Sequence, residues 1–340
     1  MPETQAILNA LVLFSNFVVV PALTYGAQLA LGALGVTLIY AVLRFSNFAQ
    51  GETMAFGTMI TILLTWGLQS IGIGLGSLPT ALLTLPVAIA VTALLMIVTD
   101  KLVYRYYREQ KSRPIVFVMA SVGVMFIMNG LVRMIIGPGE QNFTDGERFI
   151  FTVRDFRAWS GLEEGLALKT SQGLSILMAF VLVAALFWFL QKTRTGKAMR
   201  AYSDNENLAL LSGIDPDRIV MITWCLSAAL ATVAGVLYGL DKGFKPLSYF
   251  HLLLPVFAAV IVGGIGRPMG AIAGGFIIAF SEVMLTYAYK KFFSYLLPPE
   301  SMPEGLIQLL STEYKFAVSF MILVIVLLVR PTGIFRGKVI

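Results

Sequence analysis

The chain has 340 residues, of which 57% are hydrophobic and 13% charged, with 25 Lys and Arg against 19 Asp and Glu. A soluble globular domain carries about 25% charged residues, so this composition excludes that class and points to a polytopic membrane protein. The single cysteine, Cys225, excludes an intrachain disulfide and a cysteine metal cluster, and the single histidine, His251, argues against a metal site built on histidine pairs.

The chain begins "MPETQAILNALVLF", with Glu3 and no Lys or Arg ahead of the first apolar run. It lacks the basic n-region of a cleaved signal peptide and is expected to stay attached. Apolar runs fall at 6–22, 25–43, 54–70, 81–99, 115–136, 172–190, 219–240, 247–264, 271–289 and 314–329. Runs of about 20 residues match the thickness of hydrocarbon, and lipid forces each backbone polar group to be satisfied within its own segment, so these runs are predicted to be helices. The expected fold is an all-α polytopic membrane protein, a bundle of about 8–10 transmembrane helices.

The first polar interruption is "SNFAQGE", Ser46 to Glu52. Irregular backbone near membrane depth is tolerated where it lines a cavity or is buried in protein, so a break at Asn47–Gly51 marks Asn47, Phe48, Gln50, Gly51 and Glu52 as candidate pathway residues. The plainer reading is a loop capped by Asn47. Next comes a basic segment with Lys101, Arg105, Arg108, Lys111 and Arg113; Lys192, Arg194, Lys197, Arg200 and Arg218 form another, and Arg330, Arg336 and Lys338 a third. Short basic loops stay in the cytoplasm. Segment 137–170 has four basic residues against six acidic ones and opens on Gly137-Pro138-Gly139, which places it outside.

The stretch "SDNENLALLSGIDP", 203–216, carries helix punctuation. Ser203 and Glu206 have capping-box spacing, Gly213 suits a left-handed helix end, and Asp215-Pro216 suits the start of another helix. A helix of about two or three turns is predicted, too short to cross a bilayer. Its charges are acidic, so anionic lipid does not attract it, and docking to a cytoplasmic protein is favoured over an interfacial connector. Further on, "VGGIGRPMGAIAGG" holds Gly263, Gly264, Gly266, Pro268, Gly270, Gly274 and Gly275. These serve either close helix packing or a hinge between half-helices. The sequence has no phosphate-cradling loop, so any ATP use falls to a partner. Charges within the apolar runs are mainly Glu282 and the end-placed Arg133, which argues against an ion-coupled secondary carrier.

From about residue 25 to 337 the chain carries, in this order, "GVTLIYAVLRFSNFAQGE", "TGKAMRAYSDNENLALLSGIDPDRI", "SAALATVAGVLYG", "AAVIVGGIGRPMGAIAGG" and "LSTEYKFAVSFMILVIVLLVRPTGIF". It resembles the permease of branched-chain amino acid ABC importers, the shorter, LivH type. The resemblance implies an ABC importer permease fold, with 1–340 a single transmembrane domain, 191–219 a cytoplasmic coupling loop and 137–170 a periplasmic loop. It implies a transport subunit rather than an enzyme, located in a bacterial inner membrane. The implied partners are a second homologous permease, two cytoplasmic ATPases that bind the ATP, and a periplasmic substrate-binding protein; no cofactor, metal or nucleic acid is implied for this chain. Ser203, Asp204, Glu206, Leu208, Leu211 and Gly213 then belong to the coupling helix that fits the ATPase. The family usually has His where this chain has Gln50, which keeps a donor and an acceptor but does not ionise near neutral pH. "HLLLP", 251–255, departs from the Gly and Lys of many relatives. The expected solute is a branched-chain or other hydrophobic amino acid, with urea or short amides as the alternative.

Overall fold

The computed structural model describes residues 3–143, 145–296, 305, 307–330 and 332–335; Arg336 and Lys338 of the third basic segment lie outside them. The first two apolar runs, expected as separate elements, form one continuous helix. It comprises α1 (Glu3–Phe14), a π-helical turn (Ser15–Val19) and α2 (Val20–Leu43). Pro21 has no N–H to donate, and one widened turn just ahead of it absorbs the missing bond without breaking the helix.

After a short break come α3 (Gln50–Ser70) and α4 (Ala81–Thr99), the latter running through a second π-helical turn (Asp100–Tyr104) into α5 (Arg105–Glu109). α6 (Pro114–Ile136) leads to a cap on the 137–170 end: strands β1 (Phe149–Phe151) and β2 (Leu168–Lys169), antiparallel with Phe149 opposite Lys169, flank α7 (Val153–Ser160). α8 (Thr170–Lys192) runs to the opposite end, where α9 (Arg194–Asp204) and α10 (Glu206–Leu211) lie. The chain returns through α11 (Pro216–Lys242), α12 (Pro246–Gly263), α13 (Pro268–Thr286), α14 (Lys290–Leu296) and α15 (Lys315–Val329).

Seven helices among the described residues are long and apolar enough to cross a membrane. α3, with 21 residues, falls outside that group because it carries Gln50, Glu52 and four threonines, and α15 has 15 residues. The centre is α2 and α11, which pack on each other and on α13, α3 and α4. Phe126, Ile127 and Phe180 point outward, as expected where the solvent is lipid and apolar surface need not be hidden.

α12 and α13 are two whole helices joined by a turn, with Gly264 at φ +108° and Gly266 at φ +80°. Gly263 and Gly270 press backbone to backbone, so a Cβ on either would strike the other's carbonyl. These glycines therefore serve close packing. The Ile334 and Phe335 amides donate to the Val262 and Gly263 carbonyls (2.8 and 3.2 Å), satisfying acceptors that a helix end leaves open.

Candidate functional site

α2 stops at Arg44, whose left-handed conformation (φ 60°, ψ 24°) turns the chain into the break. The residues that follow are not a solvated loop. Asn47 and Gln50 are fully buried and Glu52 is 1% exposed. Asn47 Oδ1 accepts from the Ala49 amide (3.2 Å) and more weakly from the Tyr104 hydroxyl (3.4 Å), while the Phe48 amide donates to Ser121 Oγ (3.1 Å). Gln50, the first residue of α3, reaches between α2 and α11, where Ser227 Oγ donates to its Oε1 (3.3 Å) and Gly35 leaves it room. Glu52 Oε1 accepts from Asn129 Nδ2 on α6 (2.8 Å). Gly51 lies against the Tyr249 carbonyl of α12, and the Phe48 ring stacks on Phe257, 4.9 Å away. Among the described residues, Asn47 Nδ2, Gln50 Nε2 and Glu52 Oε2 have no hydrogen-bond partner.

Beside this break sits a cluster that sequence reasoning missed. Asp100, 6% exposed, receives both guanidinium nitrogens of Arg108 (2.9 and 3.1 Å) and the indole N–H of the fully buried Trp224 (2.9 Å). Tyr104 stacks on Trp224 (5.2 Å between rings, 16° between planes), and Phe45 packs on both. The available signal was an acid placed at the end of the fourth apolar run, eight residues before an arginine.

At the 191–219 end the short helix differs from the sequence expectation in its start. Ser203 and Asp204 are the last residues of α9, not the cap of α10. The cap is Asn205, extended at φ −151°, whose Oδ1 accepts from the Leu208 amide (3.1 Å). The capping box fails because the Glu206 carboxylate turns instead to the Tyr202 hydroxyl (2.7 Å). Burial and then that carboxylate push the Tyr202 phenol's pKa up. The helix is accordingly six residues long. Gly213 ends it at φ +77°, and Asp215 caps α11 with Pro216 in its first turn, as the sequence predicts. Leu208 and Leu211, 61% and 85% exposed, point away from the bundle. Arg44 Nη2 donates to the Ser203 carbonyl, joining this segment to the end of α2.

Two other polar places are present. Near the 137–170 end a cavity of about 550 Å³ is lined by residues of both charges, among them Asp145, Arg148, Lys169, Asp241 and Lys242. Glu282, buried in α13, accepts from Ser319 of α15. His251 is exposed on α12 and stacks on Phe316, and Cys225 is half-buried in α11.

Residues 18–327 match the family described as branched-chain amino acid transport system, permease component. The chain is 30% identical over 315 residues to the high-affinity branched-chain amino acid transport system permease protein LivH of Escherichia coli, covering 92% of each chain. It is 27% identical to the corresponding permease BraD of Pseudomonas aeruginosa, over 98% of this chain and 97% of that one. A more distant relative is the ribose import permease RbsC of E. coli, at 25% identity over 74% of this chain and 72% of the other. With its membrane-crossing helices and a match along nearly its whole length, this chain belongs to the branched-chain amino acid transport permease family and is a multi-pass membrane transport protein of the LivH type.

Proposed function

We propose that the chain is the permease subunit of an inner-membrane ABC importer that carries branched-chain or other hydrophobic amino acids. A second permease completes the pathway, two cytoplasmic ATPases bind and hydrolyse the ATP, and a periplasmic binding protein delivers the solute. The observation that carries this reading is the short helix Glu206–Leu211. It is too short to cross a membrane, it is capped at both ends, and while its Ala209 is buried it presents exposed Leu208 and Leu211. Exposed apolar side chains on an ordered, water-facing helix fit a groove on a partner. Asn205 and Gly213 set its ends, Glu206 sets its position through Tyr202, and Ser203 and Asp204 close the helix that leads into it.

Asn47, Gln50 and Glu52 supply polar groups to the pathway, with Phe48 and Gly51 fixing the break against α12. The support is that each of the three polar side chains keeps one buried nitrogen or oxygen without a partner among the described residues. A buried unpaired polar atom is costly, so such atoms mark hydrogen-bonding capacity held for a solute or its water. The test is uptake in a strain lacking this chain, comparing labelled leucine, urea and ribose. Restoration of leucine uptake by the wild-type gene, dependent on the ATPase subunits, is the expected result. Restoration of urea or ribose uptake alone would reassign the solute.

A further inference from the structure

We propose that Asp100 is a positioning residue that ties the short helix to the buried break, so that movement of the ATPase-facing segment is felt at Asn47. The proposal rests on the transport reading above. The short helix is held to the break from both sides. On its leading side, Tyr202 grips Glu206, and the next residue's carbonyl accepts from Arg44 at the end of α2. On its trailing side, α11 starts three residues after Gly213, and its Asp217 carboxylate lies 3.9 Å from both Arg105 and Arg108. Arg108 grips Asp100 with two hydrogen bonds, Asp100 accepts from Trp224, Trp224 stacks on Tyr104, and the Tyr104 hydroxyl donates to Asn47.

The chemistry is more than an apolar contact needs. A carboxylate buried at the end of an apolar helix is expensive unless it is paired and hydrogen-bonded, and removing one partner leaves an uncompensated charge. Asp100 meets that requirement with donors from α5 and α11, sequence neighbours and a residue 124 positions away respectively. The carboxylate thereby fixes the register of the 81–109 helix against α11. The outer pairs of Arg105 and Arg108 with Asp217 are long, and Asp217 is exposed, so they add little stability by themselves. They orient the start of α11 on a rigid inner unit. The break, the inner unit and the short helix then move as connected bodies, which is what coupling between two sites requires physically.

The test uses the complete importer, with ATPase subunits and binding protein, in liposomes, reading labelled leucine uptake and ATP hydrolysis in the same vesicles. Asp100→Asn keeps the shape and an acceptor for Trp224 but loses the charge that holds Arg108. Hydrolysis is expected to stay within about twofold while solute moved per ATP falls about tenfold, the scale of a coupling change. Trp224→Phe keeps the ring stack and removes only the indole donor, and about a threefold fall in the same ratio is expected. It serves as the deciding variant if Asp100→Asn fails to accumulate. Adding Tyr104→Phe, which removes only the hydroxyl that donates to Asn47, to Asp100→Asn should lower the ratio no further, because both act through one connection. An unchanged ratio in an active importer, or uptake and hydrolysis falling in equal proportion, overturns the positioning role and leaves the transport reading standing. A wild-type importer that moves neither leucine nor urea overturns both.

Discussion

Residues 44–52 and 203–215 are the two polar interruptions that matter most in this apolar chain, and they lie in opposite surroundings. In the first, Asn47 and Gln50 are fully buried, held by α6, α11 and the helix leading to Tyr104. In the second, the apolar Leu208 and Leu211 are exposed on a helix that the bundle does not cover. In a soluble protein polarity reports exposure. In this membrane protein the pattern inverts, since lipid already covers the apolar outside and polar groups gather where helices meet. Burial of polar groups therefore marks the inner region, and under the proposed function the exposed apolar groups of the short helix serve as a docking face.

The largest expected effect comes from breaking the packed region. In Gly51→Val the added Cβ would sit 2.8 Å from the Tyr249 carbonyl, and overpacking of this kind destabilises by about 1–3 kcal/mol. The amount of chain recovered from membranes and its melting temperature in detergent should both fall. An unchanged melting temperature would mean that the break is looser than its contacts indicate.

Gly213→Val strikes the exposed region and should separate partnership from folding. Among the described residues, nothing beyond its chain neighbours lies within 4 Å of a Cβ placed there, so the effect is conformational: a β-branched residue at φ +77° is strained by about 1–3 kcal/mol. The chain should accumulate normally while ATPase subunits fail to co-purify. Normal co-purification and uptake would make the short helix a mere connector.

Gln50→Leu sharpens the contrast from the inside. It removes the bond from Ser227, about 1 kcal/mol, without adding bulk. Amounts of protein should hold while leucine uptake falls severalfold; undiminished uptake would leave Gln50 a packing residue.

The smallest effect concerns the cap. Asn205→Ala should destabilise the short helix by about 1 kcal/mol, whereas Ser203→Ala should leave its cap intact. Hydrogen exchange at the 206–211 amides reads this directly, and the reverse order would restore Ser203 as the cap.

Much of the architecture was legible wherever local chemistry decides. Apolar runs specify helices because lipid leaves the backbone no other partner, Gly213 ends its helix because glycine accepts positive φ, and Asp215-Pro216 starts the next. The candidate site was only half legible. "SNFAQGE" stood out by polarity, but the choice between a solvated loop and a buried break depends on α6, α11 and α12, none of them adjacent in sequence. Asp100 does not stand out in the sequence because its decisive donor, Trp224, sits inside a distant apolar run.

By itself, then, the sequence determined the apolar helices and the turns where glycine, proline or a cap residue acts on its immediate neighbours. The tertiary structure alone decided that residues 6–22 and 25–43 make one helix, that Glu206 turns to Tyr202 and so moves the cap to Asn205, and that Asp100 meets Trp224. The physical reason is the same in the last two cases. A polar side chain with several possible partners takes whichever donor or acceptor the packed helices bring within about 3 Å, and spacing along the chain does not reveal which one that is.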